Sequence, residues 1–427
     1  MPLACCALPR PRRSAATRRK PARAPADRDR AHAAAAAQPH CQHFGLCGGC
    51  SHLDVPIDVQ VDDKLHEVEA LLRPHLGGLH IASAPPRRTP LHFRTKLLYP
   101  VRPGRHGAAT LGIYQPLSHD IVRIRECRTQ DEGLTALGVA AEQILRDLEL
   151  PPWDERTQRG FVQAFGARVM AGSGELLIGV VTRPGLFERG AEVAERLLAA
   201  ASELRGSGAR AFKPVGVVRS INDRAGNYLL GDRNVPLRGR DYQEDRVAGL
   251  TFRVRFGSFY QVHRDADALL YRPVLELAGD VRGHRVVDGY GGVGTFGLRL
   301  ARAGAARVEI VEQNPVACGD AEYNVQKNGL AGIATVAPPA PFAGAAFADT
   351  PDLLLVDPPR SGLQADGVAR VLAARPRRLL CVHCSAESLA RDLEGLRAGG
   401  YRVAAIRLCD LFPHTAHVEM VTLMLPN

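Results

Sequence analysis

Apolar and polar positions follow different patterns in two regions of the chain. Between residues 58 and 255, helix-like and strand-like segments occur in mixed order, which is typical of an α+β domain. The pattern predicts helices over residues 58–73, 134–150 and 184–206, and short strands within 93–125, 160–182 and 215–255. From about residue 256, apolar strands alternate with helices, and this order predicts a doubly wound parallel sheet.

Particular runs make these predictions specific. In the first predicted helix, five residues approximate one apolar face: Val59, Leu65, Val68, Leu71 and Leu72. In the second region, the predicted buried strands are 285–288, 308–311, 353–356, 379–382 and 421–425. The chain has no internal repeat.

Composition narrows the class of protein. The chain has 427 residues, of which 45% are hydrophobic, so we expect two or three domains and exclude global disorder. No stretch offers 18 uninterrupted apolar residues, and we expect no membrane partner. Ten cysteines follow no secretory leader and form no regular disulfide framework, which indicates a reducing cytoplasm. The default expectation for the oligomeric state is a monomer.

Residues 1–40 differ from the rest in charge. They hold nine Arg or Lys and two Asp, so this segment carries +7 of the chain's formal charge of +10. Because it has almost no aliphatic side chains, we predict a disordered basic tail. An RNA-contacting arm and an organellar transit peptide are alternatives, but composition favours an extension without a specific role.

A glycine-rich turn follows the predicted strand 285–288. Gly289-Tyr290-Gly291-Gly292-Val293-Gly294 leads into a predicted helix, whose N-terminus offers unpaired N–H groups to a ligand. Glu312 ends the next strand about twenty residues on, where an acid can accept both ribose hydroxyls. The pattern predicts a nucleotide or S-adenosylmethionine site. Asp288 could bond the charged amino-acid end of the latter.

Three more strand ends carry reactive side chains. Asp357-Pro358-Pro359-Arg360 and His383-Cys384 each follow an apolar strand, so we expect them beside the same crevice. Phe412–Glu419 precedes the last predicted strand and contains two histidines and one glutamate. These residue types can bind metal, but their spacing does not supply three convincing ligands for one ion. Glu419 lies among apolar residues, and burial would raise its pKa and suit it to proton transfer.

These segments together resemble the RNA uracil-C5 methyltransferase family, which makes 5-methyluridine in ribosomal and transfer RNA. The resemblance runs from about Cys41 to Leu425. It rests on seven segments: Cys41-x5-Cys47-Gly48-Gly49-Cys50, Phe93–Lys96, Gly257–Val262, Asp288–Phe296, Asp357–Gly362, Cys384 with Leu389–Leu393, and Phe412–Glu419.

The resemblance implies a fold, a reaction and a site. The fold is an α/β class I S-adenosylmethionine-dependent methyltransferase, with a Rossmann-like doubly wound sheet and an α+β central domain carrying a cluster held by four cysteines. Cys384 would be the nucleophile that attacks uracil C6, and Glu419 the base that removes the C5 proton. The family positions around the cofactor and the uracil match Gln261, Asp288, Tyr290, Gly292, Glu312 and Asp357.

A metal centre is implied by the cysteines. Cys41, Cys47 and Cys50 need a fourth thiolate, and Cys127 matches the fourth cysteine of those family members that hold a [4Fe–4S] cluster. Four cysteines suit zinc as well, but the resemblance favours iron–sulfur. The expected domains are the tail 1–40, a central iron–sulfur and RNA-binding domain 41–255, part of which could pack on the catalytic domain, and a catalytic domain 256–427.

Several departures from the family pattern leave alternatives open. The family usually has Cys at Gly291, Ser at His383 and an acid near residue 337, where this chain has Ala337-Pro338-Pro339-Ala340. The cluster cysteines favour 23S rRNA as the RNA partner over tRNA. Two other hypotheses are methylation of a base nitrogen, and a non-catalytic iron–sulfur RNA-binding protein with a decayed site. Candidate RNA contacts are Arg94, Lys96, Arg102 and Arg105.

Overall fold

The computed structural model describes residues 40–83, 90–224, 226, 228–347 and 349–427. Apart from His40, the predicted tail lies outside these residues. Within them, no helix combines the length and the apolar character that a membrane span requires. Two large sheets organise the structure, one of eight strands and one of seven.

The helices and strands have the following bounds. The α-helices are α1 (Ile57–Leu76), α2 (Glu132–Asp147), α3 (Gly190–Glu203), α4 (Arg272–Ala278), α5 (Thr295–Arg302), α6 (Pro315–Lys327), α7 (Gln364–Ala374) and α8 (Ala386–Ala398). The first twelve strands are β1 (Ala82–Ser83), β2 (Lys96–Pro103), β3 (Ala109–Tyr114), β4 (Ile121–Arg123), β5 (Val162–Val169), β6 (Glu175–Thr182), β7 (Arg205–Gly206), β8 (Arg210–Ala211), β9 (Lys213–Ile221), β10 (Arg233–Gly239), β11 (Tyr242–Val247) and β12 (Leu250–Arg255). The other strands are β13 (Arg285–Gly289), β14 (Arg307–Val311), β15 (Ala334–Val336), β16 (Leu353–Val356), β17 (Arg378–His383), β18 (Tyr401–Cys409) and β19 (Glu419–Pro426).

The eight-stranded sheet has the order β1-β18-β19-β17-β16-β13-β14-β15. Strands β17, β16, β13, β14 and β15 run parallel, as the run of apolar strands in the sequence predicts. Strand β19 is antiparallel to both of its neighbours, β17 and β18. Hydrophobic clusters cover both faces of this sheet, and its central strand β16 is wholly apolar.

The seven-stranded sheet has the order β10-β9-β6-β5-β2-β3-β4 and is largely antiparallel. Helices α2 and α3 pack together over one face, which Tyr99 and Phe165 fill. On the other face, the ring of Phe256 lies against Gly179, where an added Cβ would stand 2.1 Å from the ring. This close approach fastens the segment after β12 to the seven-stranded sheet.

Helix α1 packs on α8 and β18, beside the eight-stranded sheet. Its predicted apolar face is partly wrong, because Leu71 is exposed and Val59 and Leu65 are only half-buried. The buried stripe follows i, i+4 spacing instead: Gln60, Lys64, Val68, Leu72 and Leu76, with Val61 beside it. Two polar side chains thus occupy core positions, and both have partners in the loop before β19.

Candidate active site

One edge of the eight-stranded sheet carries three acids and a thiol. The four residues are Asp288, Asp357, Cys384 and Glu419. Side chains two positions apart on a strand share a face, and the residues two positions along each strand belong to one hydrophobic cluster: Val286, Leu355, Val382 and Val421. The pattern therefore places all four reactive side chains at the same edge and on the same face.

Cys384 and Glu419 are neighbours across an antiparallel pair of strands. The ladder between β17 and β19 ends with His383 opposite Met420, so the next positions outward are Cys384 and Glu419. Facing residues in such a pair have Cβ atoms about 5 Å apart. The family resemblance implied that Cys384 and Glu419 act on one uracil, and the register of β19 places the two residues opposite each other.

Burial and neighbouring acids raise the pKa values of the groups at this edge. Burial raises the pKa of Glu419 well above its usual value, and the negative charge of Asp357 adds to the effect. Burial, then Glu419 and Asp357, raise the pKa of Cys384 to about 12, while Arg360 opposes the shift. Burial followed by Asp288 raises the pKa of Asp357 to about 7. This edge thus holds acidic groups that a cationic ligand would stabilise in their charged form.

Asp288 is buried beneath the glycine turn. Its Oδ2 accepts a hydrogen bond from the Gly297 N–H at 2.7 Å, while Oδ1 has no partner among the described residues. Burial raises the pKa of Asp288 to about 7; the Gly297 hydrogen bond lowers it and Glu312 raises it. An unpartnered buried oxygen is costly, and a donor from a ligand would satisfy it.

Glu312 stands at the end of β14 and is oriented by backbone N–H groups. Its Oε2 accepts from Gly292 at 3.0 Å, and its Oε1 accepts from Gln313 and Asn314 at 2.9 and 2.7 Å. Tyr290 adopts a left-handed backbone conformation, with φ of 62°, and its ring packs 5.1 Å from that of Phe342. The Glu312 carboxylate is thereby held against the glycine turn by the Gly292 N–H.

Gln261, another predicted site residue, lies in the segment between β12 and α4. Gln261 is buried within residues 257–262. The Thr95 N–H and hydroxyl both bond the Val262 carbonyl, at 2.8 and 3.0 Å, so the Phe93–Lys96 segment runs beside Gln261. On the other side, Tyr260 donates its hydroxyl to Asp245 at 3.0 Å.

The four cysteines predicted to hold a metal centre come together. Cys41, Cys47, Cys50 and Cys127 are free, partly buried and line one small cavity with Gly49, Ile113 and Ile124. Burial raises the pKa of Cys50 to about 12, with further contributions from Cys127 and Cys47. The Gln130 N–H lies 3.4 Å from the Cys127 sulfur. Nevertheless, within the described residues no group of three or more His, Cys, Asp or Glu is placed to hold a metal ion.

Sequence reasoning missed a buried pair next to Cys384. His383 points to the opposite face of the sheet, and its Nε2 lies 2.9 Å from Asp392 Oδ2 on α8. The same oxygen accepts from the Leu363 N–H at 2.7 Å, which ties down the loop after Asp357. His383 therefore packs away from the thiol. The two-residue period of a strand contained this signal, because it places residues 383 and 384 on opposite faces.

The eight-stranded sheet, its glycine turn and the acids at one edge define a class I S-adenosylmethionine-dependent methyltransferase. Among solved structures, the tRNA (uracil-54, C5)-methyltransferase of Pyrococcus abyssi in complex with S-adenosyl-L-homocysteine shares the fold. The TM-score is 0.70 at 23% identity, and the match covers 89% of this chain and 85% of that one.

Relatives identify the family. A family model described as tRNA (Uracil-5-)-methyltransferase matches residues 348–426. A protein of Halalkalibacterium halodurans named as an uncharacterized RNA methyltransferase is 30% identical over 393 residues, which cover 90% of this chain and 82% of the relative. A protein of Caldanaerobacter subterraneus, also named as an uncharacterized RNA methyltransferase, is 31% identical over 390 residues. These residues cover 90% of this chain and 84% of the relative. The chain belongs to this family of RNA methyltransferases, the RNA uracil-C5 methyltransferases.

Proposed function

We propose that this protein methylates C5 of a uridine in 23S rRNA, with Cys384 as the nucleophile and Glu419 as the base. The observation that carries the proposal is the position of these two residues, opposite each other at the end of the β17–β19 ladder. Methylation of a base nitrogen requires neither a thiol nor an acid facing it, so this pairing favours carbon methylation.

Uracil C5 is a poor nucleophile, and covalent attack at C6 changes that. The Cys384 thiolate bonds to C6, and the C5–C6 π electrons move toward C5 and the C4 carbonyl oxygen. When bound, S-adenosylmethionine supplies an electrophilic methyl group, which C5 can then accept. The Glu419 carboxylate takes the C5 proton, the C5–C6 double bond re-forms, and the C6–S bond breaks to return the thiolate.

The raised pKa values have a consequence for this chemistry. Without ligands, the pKa of about 12 keeps Cys384 as a thiol at neutral pH, and the raised pKa of Glu419 shifts it toward its protonated form. A positive charge beside Asp357 would lower the pKa of both groups. The site is therefore expected to become reactive when a cationic ligand is bound, which limits thiolate chemistry in its absence.

The residues around the turn fit S-adenosylmethionine. The unpartnered Oδ1 of Asp288 offers a buried acceptor to the ammonium group of the ligand. Glu312, held by the Gly292 N–H, would accept hydrogen bonds from the ribose hydroxyls of the cofactor. Tyr290 would flank the same end of the site. Asp357 would lie toward the uracil, since its charge acts on Cys384, and the resemblance places Gln261 around the cofactor and the uracil.

We further propose that Cys41, Cys47, Cys50 and Cys127 hold a [4Fe–4S] cluster. The donor set fits, because four thiols line one cavity, although His43 and Glu126 also line it. A single zinc ion would need sulfurs about 3.8 Å apart, whereas a cluster of four irons spaces its ligands more widely.

The proposed domain division is a central iron–sulfur and RNA-binding domain, residues 41–255, and a catalytic domain, residues 256–427. Helix α1 lies in the first of these by sequence and packs on the second. The choice of 23S rRNA rests on the resemblance of the cysteine set. Transfer RNA is the second candidate, because the family model that matches residues 348–426 is described by a tRNA activity.

The test is nucleoside mass spectrometry. Ribosomal and transfer RNA are isolated from a strain that lacks the gene, incubated separately with the protein and labelled S-adenosylmethionine, and digested. We expect labelled 5-methyluridine from 23S rRNA. Label found only in tRNA would show that tRNA, not 23S rRNA, is the substrate. Label on a base nitrogen would show that the protein methylates nitrogen instead of C5. No label in either pool would favour a non-catalytic protein.

A further inference from the structure

Helix α1 holds the loop that leads to Glu419. Residues 410–418 connect β18 to β19, and Gln60 reaches them from outside the sheet. The Gln60 Oε1 accepts from the His414 N–H at 2.7 Å, and its Nε2 lies 3.1 Å from His414 Nδ1. The same Nε2 donates to the carbonyls of His52 and Val55, at 2.8 and 2.7 Å. One side chain, only 3% exposed, thus joins the loop to the segment before α1.

Lys64, one turn further along α1, makes a second attachment. Its Nζ donates to Asp410 Oδ1 at 2.8 Å and to the Phe412 carbonyl at 3.1 Å. Burial lowers the pKa of Lys64, and the ion pair with Asp410 opposes that shift. Asp410 and His414, at the start and the middle of this loop, are therefore both bound to the same face of α1.

His414, at the centre of this network, has a strained backbone. Its φ is 66°, in the left-handed region that residues other than glycine rarely adopt. Its carbonyl accepts from the N–H groups of Ser51 and His52, at 2.9 and 3.0 Å, and its Nε2 lies 3.2 Å from the Pro90 carbonyl. Strained residues persist only where their surroundings hold them, and they cluster at functional sites.

We propose that Gln60 is a positioning residue for Glu419, acting through His414. Asp288 lies within β13, and Cys384 and Asp357 each directly follow a strand. Glu419 differs from them because it is the first residue of β19 after this loop, where it pairs with Cys409 of β18. Loss of the Gln60 bonds releases His414 from its strained conformation, and the start of β19 shifts with it. This inference rests on the proposed function and assigns Gln60 to one step of it, removal of the C5 proton.

Because Cys384 is untouched, the thiol still adds to C6 and the methyl group is still transferred. Removal of the C5 proton from the methylated adduct then becomes slow, because the Glu419 carboxylate is misplaced. The C6–S bond therefore also breaks slowly. An error of about 1 Å in placing a group can cost about 100-fold in rate. For Gln60→Ala we expect turnover to fall at least about tenfold, while the RNA-bound fraction of the protein rises.

The experiment compares Gln60→Ala with Gln143→Ala, in which an exposed glutamine of α2 is removed. Single-turnover reactions with the RNA substrate and labelled cofactor are quenched in SDS, and the adduct that resists SDS is quantified beside free 5-methyluridine. Cofactor affinity is measured by equilibrium dialysis. We expect adduct accumulation and slow release in Gln60→Ala only, with cofactor affinity unchanged within about twofold. Gln60→Met keeps the volume and should show the same result, so it replaces Gln60→Ala if that variant does not fold.

Normal release in both Gln60 variants would overturn the inference. So would an equal loss of adduct formation and release, or weakened cofactor binding, because each points to a general loss of structure. If the unaltered protein makes no 5-methyluridine, the proposed function fails and this inference fails with it. Failure of the proposed function can be told apart from failure of this inference, since it is seen in the unaltered protein before any variant is compared.

Discussion

Cys384 and Glu419 occupy facing positions just beyond the last pair of the β17–β19 ladder. This relationship depends on β19 being antiparallel within an otherwise mostly parallel sheet, because only then does the start of one strand meet the end of the other. A thiol and an acid are thereby held at one edge by backbone hydrogen bonds. We propose this pair as the nucleophile and the base of one reaction.

Replacing the proposed base should stop the reaction after methyl transfer. Glu419→Gln keeps the shape of the side chain and cannot accept the C5 proton, so we expect turnover to fall about 100- to 10,000-fold. The methylated adduct should accumulate, as measured by SDS-resistant radioactivity. Glu394→Gln, on the exposed face of α8, serves as the control. Wild-type release by Glu419→Gln would assign the proton to another group.

Cofactor binding should strengthen as the pH rises toward neutrality. The pKa of Asp288 is about 7, and its charged form would bind the ligand's ammonium group, so affinity should fall about tenfold per pH unit below 7. The stability of the ligand-free protein should change in the opposite direction. A carboxyl group whose pKa is raised by folding stabilises the protein at low pH, and this contribution is lost as the pH rises from about 4 to 7. Calorimetric titrations between pH 5.5 and 8 measure the first effect. Asp288→Asn should bind weakly and flatten the dependence, whereas a flat wild-type profile would contradict this role.

Loss of one cluster cysteine should remove the metal centre. We expect about four iron and four sulfide per wild-type chain, with broad absorbance near 400 nm, and little of either in Cys127→Ser. Cys318→Ser changes a cysteine far along the chain, on α6, and should keep the full iron content. One zinc per chain, without sulfide, would replace the iron–sulfur assignment.

The buried pair His383–Asp392 should contribute to stability. Asp392→Ala leaves the His383 ring and the Leu363 N–H without their acceptor, in a site where both side chains are 1% exposed. We expect the free energy of unfolding to fall by about 3 kcal/mol, measured by denaturant titration. The control, Glu394→Ala on the same helix, should change it by less than about 0.5 kcal/mol. A loss below about 1 kcal/mol for Asp392→Ala would show that the pair is dispensable.

The parallel strands and the glycine turn could be predicted because their signals are local. Strand 353–356 is bounded as predicted, and strand 285–288 differs by a single residue. The antiparallel placement of β19 could not be read from its apolar run, since a buried strand looks the same in either direction. The position of Glu419 opposite Cys384 depends on that placement.

The polar attachments of α1 escaped sequence analysis for a different reason. Gln60 and Lys64 occupy core positions, yet helical periodicity selects apolar residues and therefore chose Val59 and Leu65 instead. Their partners, His414 and Asp410, lie about 350 residues further along the chain. Only tertiary structure shows that these polar groups satisfy each other.

The most direct test of the account is to trap the covalent intermediate. RNA in which 5-fluorouridine replaces uridine offers no C5 proton to Glu419, so the methylated adduct cannot eliminate. After incubation with S-adenosylmethionine and proteolysis, mass spectrometry should find the methylated fluoronucleotide attached to the peptide that contains Cys384. Cys384→Ser should yield none. Methylation of ordinary RNA without any adduct at Cys384 would contradict the account.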